Sequence, residues 1–363
     1  MINTITWKID RFHMQELMRR CTIAIIFGIL FLPVSCDQPS KQRNIERAFY
    51  YWKSVLNITE YEKKALTDLK VKTLYLKFFD VDWDENSNGP VPVAQIRMSD
   101  DNPLKKDSLT IIPVVFITNS CIRYLDSLQA EETGKKILDL VDNICKTNKL
   151  NYSELQIDCD WTALTRDKYF TLLRSIKKHL NGRKLSATIR LYQVKYSGKT
   201  GVPPVDRGLL MAYNMGNLKD PATGNSIIES RELKKYISEL SNYSLPLDIA
   251  LPLFEWKVFF RNNTYAGLME NLPDSFLDNR SVKKMPGNRY QFLIDTVLNG
   301  YSFLRGDILR KEESTYEEIL ATEKLISGNL STLNIRLSLF HLDSLILKKY
   351  PSHEMEAIFH GLD

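Results

Sequence analysis

Short apolar runs separated by longer amphipathic stretches recur along most of this chain. Runs of strand length, bounded by turn residues, fall at 48–52, 73–79, 110–117, 155–160, 185–191, 209–213, 247–254 and 334–340. Several are joined by stretches of helical period. Between 165 and 180, Tyr169, Leu172, Leu173, Ile176 and Leu180 share one face; between 230 and 240, Leu233, Tyr236, Ile237 and Leu240 do the same. Thr59 with Glu62, and Ser314 with Glu317, have the spacing of capping boxes at helix starts. Strands that alternate with helices imply a parallel sheet, and eight of them imply a closed (β/α)8 TIM barrel of the α/β class. Two connections depart from that rhythm. The stretch 193–207 holds Gly198, Gly201, Pro203 and Pro204 without helical period, which predicts a loop. The stretch 257–332 is too long for one helix and reads as an insertion between the seventh and eighth strands. Within it lie a Pro/Asn/Asp-rich start, an apolar run at 290–304 with Asn299-Gly300 as a hairpin turn, and a helix at 315–326.

The fourth run carries the candidate chemistry. It reads Leu155-Gln156-Ile157-Asp158-Cys159-Asp160-Trp161-Thr162, so strand alternation points Asp158, Asp160 and Thr162 to one face. Two carboxylates on a buried face are costly, and such a pair marks a site. Cys159, out of phase with them, faces the helix layer as a small core residue, and Trp161 packs outward with it.

This segment resembles the fourth strand of family 18 glycoside hydrolases, the chitinase-type barrels, whose pattern is Asp-Gly-x-Asp-x-Asp-x-Glu. The resemblance continues in order. Met211-Ala212-Tyr213-Asn214 is similar to the sixth-strand Met-x-Tyr-Asp, Leu251-Pro252-Leu253-Phe254 to the seventh-strand Leu-Pro-x-Tyr, and Leu339-Phe340-His341-Leu342-Asp343 to the eighth-strand Trp-Ser-Leu-Asp. It implies a site at the carboxyl ends of the strands and substrate-assisted hydrolysis. That chemistry needs an acid for the leaving oxygen, an aspartate that orients the sugar's N-acetyl group, and a tyrosine that holds it. By resemblance Asp160 is the orienting residue, Asp158 its inner neighbour and Tyr213 the tyrosine. Thr162 stands where the proton-donating glutamate is expected, Leu155 and Gln156 replace the opening Asp-Gly, and Asn214 replaces an aspartate. A threonine hydroxyl does not act as a general acid near neutral pH, and losing such an acid costs typically ~100- to 10,000-fold in rate. The resemblance therefore implies a barrel that binds carbohydrate without the family's hydrolysis.

Other residues bear on that reading. Asp80, Asp82, Asp84 and Glu85 cluster after the second strand, Glu255 follows the seventh, and Asp343 follows the eighth. Glu255 is the best candidate for a relocated acid, because its strand delivers it near the mouth. Asp84-x-Asn86-x-Asn88-Gly89 echoes the start of a calcium loop, but Gln95 replaces the bidentate glutamate, so no metal is expected there and no cofactor elsewhere. His341 reads as a hydrogen-bonded rim residue. Trp52, Trp83, Trp161 and Trp256 each lie at or just past a strand's carboxyl end, and Tyr192 and Phe340 join them. Aromatic faces stack on sugar rings, so this rim, with Asp80, Asp82 and Asn214, forms the expected ligand-binding set. Three classes follow: a carbohydrate-binding protein on a degenerate hydrolase barrel, a hydrolase using Glu255, or a scaffold without a small ligand. Fold alone does not choose among them.

The amino end predicts location. Arg19 and Arg20 precede an apolar run at 22–34 that ends in Ser35-Cys36, followed by polar Asp37-Gln38-Pro39-Ser40. This layout resembles a bacterial lipoprotein signal, which implies a signal peptide at 1–35, lipidation of Cys36, a linker at 36–44 and a barrel domain at 45–363. The expected location is the cell envelope, anchored to a membrane by lipid. The run is shorter than the roughly 20 apolar residues a spanning helix needs. Met18 is the more natural start, with 2–17 as upstream translation. The formal charge of +5 falls to about +3 without the leader, and the lysines are scattered, which disfavours a nucleic-acid partner. Cys121, Cys145 and Cys159 are an odd set with no paired spacing, which argues against a disulfide framework.

Overall fold

The computed structural model describes residues 43–99, 109–270, 272–278 and 280–362; Cys36, the leader and most of the expected linker lie outside them. Eight parallel strands close on themselves: β1 (Asn44–Tyr51), β2 (Thr73–Asp84), β3 (Thr110–Ile117), β4 (Glu154–Cys159), β5 (Lys184–Arg190), β6 (Arg207–Met211), β7 (Leu247–Pro252) and β8 (Asn334–Phe340). Strand β1 closes the barrel because it pairs with both neighbours, Ala48 opposite Thr73 of β2 and Phe49 opposite Leu339 of β8. The predicted (β/α)8 barrel is the fold observed. No helix among the described residues is long and apolar enough to cross a membrane.

Alternation sorts each strand into two cores. Outward positions such as Leu155, Ile157 and Cys159 join a large apolar layer beneath the helices, while Ala48, Tyr50, Tyr75, Ile112, Val114, Leu209, Met211, Tyr213 and Ala250 fill the barrel. Trp161 is fully buried outside the barrel, stacked on Tyr169, and donates to Thr200 O at 3.0 Å. The helices Ser127–Asn148 and Arg166–His179 cross closely at Gly134, where an added Cβ would sit 2.8 Å from Leu172 O. Arg43 ties the start of the barrel to its end, donating to Ser327 O at 2.8 Å, Leu330 O at 2.9 Å and Leu362 O at 2.9 Å.

Several local expectations change. The capping box of Thr59 and Glu62 is complete. The later one does not form: Thr315 caps helix Tyr316–Asn329 by accepting from Glu318 N, the Glu318 carboxylate accepts from Ser230 N rather than from the cap, and Ser314 donates to Phe254 O. The segment expected as a loop after β5 contains two short helices, Leu191–Lys195 and Ser197–Thr200, ended by Gly201 at φ +74°. The face of Leu233, Ile237 and Leu240 is buried as expected, but the backbone makes one turn at Ser230–Leu233 and a 3-10 helix at Ile237–Asn242. Periodicity located the buried face without fixing the hydrogen-bond pattern.

The insertion folds as a five-stranded antiparallel sheet with its own core of Phe259, Phe292, Phe303 and Leu309. Its first strand, Glu255–Arg261, starts two residues before the expected boundary, so Glu255 and Trp256 belong to this sheet. Thr296–Leu298 and Tyr301–Phe303 form the predicted hairpin around Asn299 and Gly300, both at positive φ.

Candidate functional site

The inward face of β4 is a ladder of polar groups, each met by a different partner. Nearest the amino end, Glu154 pairs with Arg336 of β8 at 3.2 Å. Next, Gln156 accepts from the Tyr50 hydroxyl. Above it, Asp158 accepts from Thr188 Oγ1 at 2.6 Å, and at the mouth both oxygens of Asp160 accept from Arg190, Nε to Oδ1 at 2.5 Å and Nη2 to Oδ2 at 3.2 Å. The two carboxylates thus share a face, as alternation predicts, and differ in their partners. Burial pushes Asp158 up to about 6 even though Arg190 works against the rise, with Asp160 and Asp80 adding to it. For Arg190, burial opposes the charge, but Asp160 and Asp158 outweigh it and hold the guanidinium more firmly protonated than usual.

The chain locks the Asp160–Arg190 pair from both sides. Arg190 ends β5 in phase with Ser186 and Thr188, and its backbone N donates to Gln193 Oε1 at 2.7 Å. Gln193 and the Tyr192 hydroxyl both donate to Trp161 O, at 2.9 and 2.5 Å, pinning the segment just past β4 to helix Leu191–Lys195 after β5.

Above the pair opens a cavity of about 520 Å³. Its lining includes Asp160, Thr162, Arg190, Tyr192 and Tyr213 together with Asn119, Asn214, Met215, Ser226, Tyr236 and Trp256. Its size is that of sites for small organic ligands, roughly 300–1,000 Å³. Tyr213 is only 3% exposed, its hydroxyl has no hydrogen-bond partner among the described residues, and burial raises it well above a usual tyrosine. Asn214 adopts φ +52°, a left-handed conformation that asparagine tolerates better than most residues, and its backbone donates to Ile227 O at 2.7 Å. Thr162 is exposed and serves the turn before helix Arg166–His179, accepting from Leu164 N at 3.3 Å.

The insertion contributes Trp256 to the lining. Trp256 Nε1 donates to Glu312 Oε2 at 2.7 Å, and Ser226 Oγ donates to the same oxygen. Fully buried Arg310 holds Glu312 Oε1 at 2.6 Å and reaches Asp220 O and Leu218 O at 2.7 and 3.0 Å, bracing the long connection after β6. Trp256 then touches Phe254, which continues through Phe340 and Trp52 as an aromatic cluster around Tyr213.

The expected site residues therefore separate. Asp160, Tyr192, Tyr213, Asn214 and Trp256 meet in the cavity. Asp158 lies beneath it, and Trp52 and Phe340 back it. Asp80 is paired with Lys77 at 2.8 Å, and that lysine also covers the Trp52 ring. Asp82 is a structural acceptor for Thr118 at 2.5 Å, Ser120 at 2.8 Å and its neighbour Trp83 N, bonds that hold it below the ordinary carboxylate range. Trp83 faces a separate cleft with Tyr124 and Glu85. Asp84 accepts from Asn86 N and Ser87 N, the solvated turn that suits an acidic loop. Glu255 is misplaced for an acid role: it lies outside the cavity lining, 2.6 Å from Lys349 and 3.2 Å from Lys257. Burial would raise it, but Lys349 and Lys257 outweigh that and keep it ionised, whereas a proton donor needs the reverse. Sequence reasoning missed Arg190, Thr188, Tyr236 and Ser226. The inward phase of Ser186, Thr188 and Arg190 is the signal that points to the first two.

No protein-family model matches the sequence, and comparison with curated proteins finds no significant relative. Solved structures do match. A chitinase from Chromobacterium violaceum ATCC 12472 aligns with a TM-score of 0.53 at 12% identity over 87% of this chain and 98% of its own. The spore cortex-lytic enzyme SleL of Bacillus cereus gives 0.52 at 14% identity over 88% and 75%. A family 18 chitinase from Cycas revoluta, in complex with (GlcNAc)3, gives 0.51 at 10% identity over 86% and 98%. At such identities the likeness is one of fold, and the fold of this chain is the chitinase-type (β/α)8 barrel of the family 18 glycoside hydrolases.

Proposed function

We propose that this protein is an exported, lipid-anchored carbohydrate-binding protein that does not hydrolyse glycans by the family 18 mechanism. The observation that carries the reading is the composition of the cavity at the carboxyl end of the barrel. It offers aromatic faces from Trp256, Tyr192 and Tyr236, an unmet Tyr213 hydroxyl and the Asp160–Arg190 pair, with Thr162 in place of a proton donor. Sugars need this mixture, because their rings stack on aromatic faces while their hydroxyls exchange hydrogen bonds with fixed polar groups. Solved relatives in fold include a chitinase holding (GlcNAc)3, which supports a glycan as the class of ligand.

The test is calorimetric or array-based binding of the purified mature protein to glycans, with release of reducing ends followed in parallel. Saturable binding without turnover supports the reading. Turnover that survives in the wild-type protein and disappears in Glu255→Gln would replace it with a relocated acid. For the anchor, the sequence around Ser35-Cys36 is the support. Cys36→Ala should move the protein from the membrane to the soluble fraction or stall its processing, and unchanged membrane attachment would place the anchor elsewhere.

A further inference from the structure

Within the lipid-anchored reading, on which this step rests, we propose that the amino-end rim of the barrel docks on the anionic lipid headgroups of the membrane that holds the anchor. The cavity at the carboxyl end then faces away from that membrane. Lysines that are scattered in sequence are gathered on this rim by topology. The barrel strands all run the same way, so residues that lead into a strand lie at one end. Lys70 and Lys72 lead into β2, and the Lys72 backbone continues its ladder, donating to Arg47 O of β1 at 3.2 Å and accepting from Thr110 N of β3 at 2.8 Å. Lys146 lies in the last turn of helix Ser127–Asn148 and Lys149 caps it, just before β4. Lys178 lies in the last turn of helix Arg166–His179, and Lys184 opens β5, its backbone donating to Ser153 O at 2.9 Å.

These six lysines are exposed, and none has an ion pair among the described residues. The acidic side chains beside them are matched to other cations: Asp68 to Lys64, Asp142 to Arg183, Asp206 to Lys177 and Glu46 to Arg336. Only Asp206 also feels Lys184. The rim therefore keeps a positive excess. At the other end the sign reverses. Strand β2, which starts from two lysines, finishes with Asp82 and Asp84 and is followed by Glu85, three carboxylates without an ion pair among the described residues. Such a gradient turns the amino end toward a negative surface and the carboxyl end away from it.

The path of the chain selects a membrane as that surface. Asn44 opens β1 at the same rim, and in sequence Cys36 precedes Arg43 by seven residues. Seven residues reach at most about 25 Å. A lipid on Cys36 thus keeps the lysine rim within reach of the headgroups, while the cavity lies a tilted strand farther on, about 20 Å. Basic clusters of roughly this size beside an anchor bind anionic lipid surfaces. A soluble acidic polymer would also be attracted, but nothing would direct it to the rim where the anchor enters.

The experiment is sedimentation of the mature chain carrying Cys36→Ala, which has no lipid, with two kinds of vesicle: phosphatidylcholine alone, and phosphatidylcholine with phosphatidylglycerol in equal parts. Binding should require phosphatidylglycerol and fall steeply as salt is raised. Lys72→Glu with Lys146→Glu and Lys178→Glu should weaken it by about tenfold or more. The same change of charge at exposed lysines elsewhere, Lys135→Glu with Lys234→Glu and Lys284→Glu, should leave most of it. Circular dichroism melting confirms that each variant is folded; if the rim variant does not fold, the same three positions changed to Gln decide. Amide exchange with vesicles present should slow at 70–72, 146–149 and 178–184 and not at the cavity residues 213–216. Equal binding to both vesicles, equal losses in the two triple variants, or protection at the cavity would overturn the inference. So would binding that needs the rim lysines but goes to soluble heparin and not to vesicles. Each of these failures leaves the anchor standing, whereas attachment in cells that survives Cys36→Ala and a high-salt wash would remove the lipid-anchored reading itself.

Discussion

The two ends of the barrel interior hold charges in opposite ways. At the amino end, Arg336 lies among Glu46 at 3.0 Å, Glu154 at 3.2 Å and Asp248 at 3.6 Å, donates to the Tyr75 hydroxyl at 2.9 Å, and covers the Tyr75 ring. Asp248 is held a second time by Arg207. The network's one loose end is Asp248 Oδ2, which lacks a hydrogen bond among the described residues and lies 3.6 Å from Arg336. At the carboxyl end, Arg190 and Asp160 face a cavity, and the Tyr213 hydroxyl has no hydrogen-bond partner among the described residues. Both ends bury carboxylates, yet only at the carboxyl end do such groups open onto this cavity. In barrels of this kind the amino end serves stability and the carboxyl end serves ligands, and here the difference can be read from which polar groups line a cavity.

The largest test of that contrast is Arg336→Met. Removing the hub leaves Glu46, Glu154 and Asp248 facing one another with one arginine fewer, and breaking a buried pair in this way costs about 3–5 kcal/mol. Urea unfolding should show that loss. A change under about 1 kcal/mol, the value of an exposed ion pair, would mean that the amino end is not the stabilising pole. The matching change at the other pole is Trp256→Ala. It removes an aromatic face from the cavity and should weaken glycan binding by about tenfold or more, as loss of a central aromatic anchor does. Binding that is unaffected would show that the insertion wall does not touch ligand.

How much of this contrast was legible beforehand follows from what periodicity can carry. Alternation along β4 placed Asp158 and Asp160 inward and Cys159 outward, because strand phase is fixed by the backbone. Strand positions were equally plain, since each is a short apolar run between turns. What the sequence did not reveal is pairing across strands. Arg190 is 30 positions from Asp160 and is brought beside it only by the register of β4 with β5, Ile157 opposite Ala187. Glu255 misled for the same reason. It follows the seventh strand directly, but the chain turns there into a separate sheet whose lysine, Lys257, and the distant Lys349 capture it. The ladder of tryptophans likewise split, because residues at strand ends point inward or outward by phase: Trp52 in, Trp161 out.

Both poles also respond to pH. Asp158 is shifted from 3.8 to about 6, chiefly by burial. An acid whose value rises on folding binds its proton more tightly in the folded state. Its contribution is complete below about 3.8 and is lost as pH climbs through about 6, a change on the order of 3 kcal/mol. Asp248, at the other pole, is also pushed up to about 6 by burial and falls in the same window. Asp158→Asn should therefore remove part of the decline in stability between pH 4 and 6 and leave the share owed to Asp248. Melting curves across that range would show a shallower slope; an unchanged slope would mean that Asp158 is ionised without cost.

The smallest expected effect is at the position that first pointed to lost chemistry. Thr162 is exposed and contributes only turn hydrogen bonds, so Thr162→Glu should alter stability by no more than about 0.5 kcal/mol. It should also fail to create a hydrolase. A restored acid supplies one part of the family's mechanism, but the acetamide that must act as internal nucleophile has no free carboxylate to orient it while Arg190 holds both oxygens of Asp160. Release of reducing ends from chitotetraose by Thr162→Glu should stay at the level of the wild-type protein. The double variant with Arg190→Met, which frees Asp160 beneath a new acid, is the one in which turnover is expected to rise. Turnover in the single variant would show that Arg190 yields to substrate, and that the carboxyl end of this barrel is a catalytic site lacking one residue.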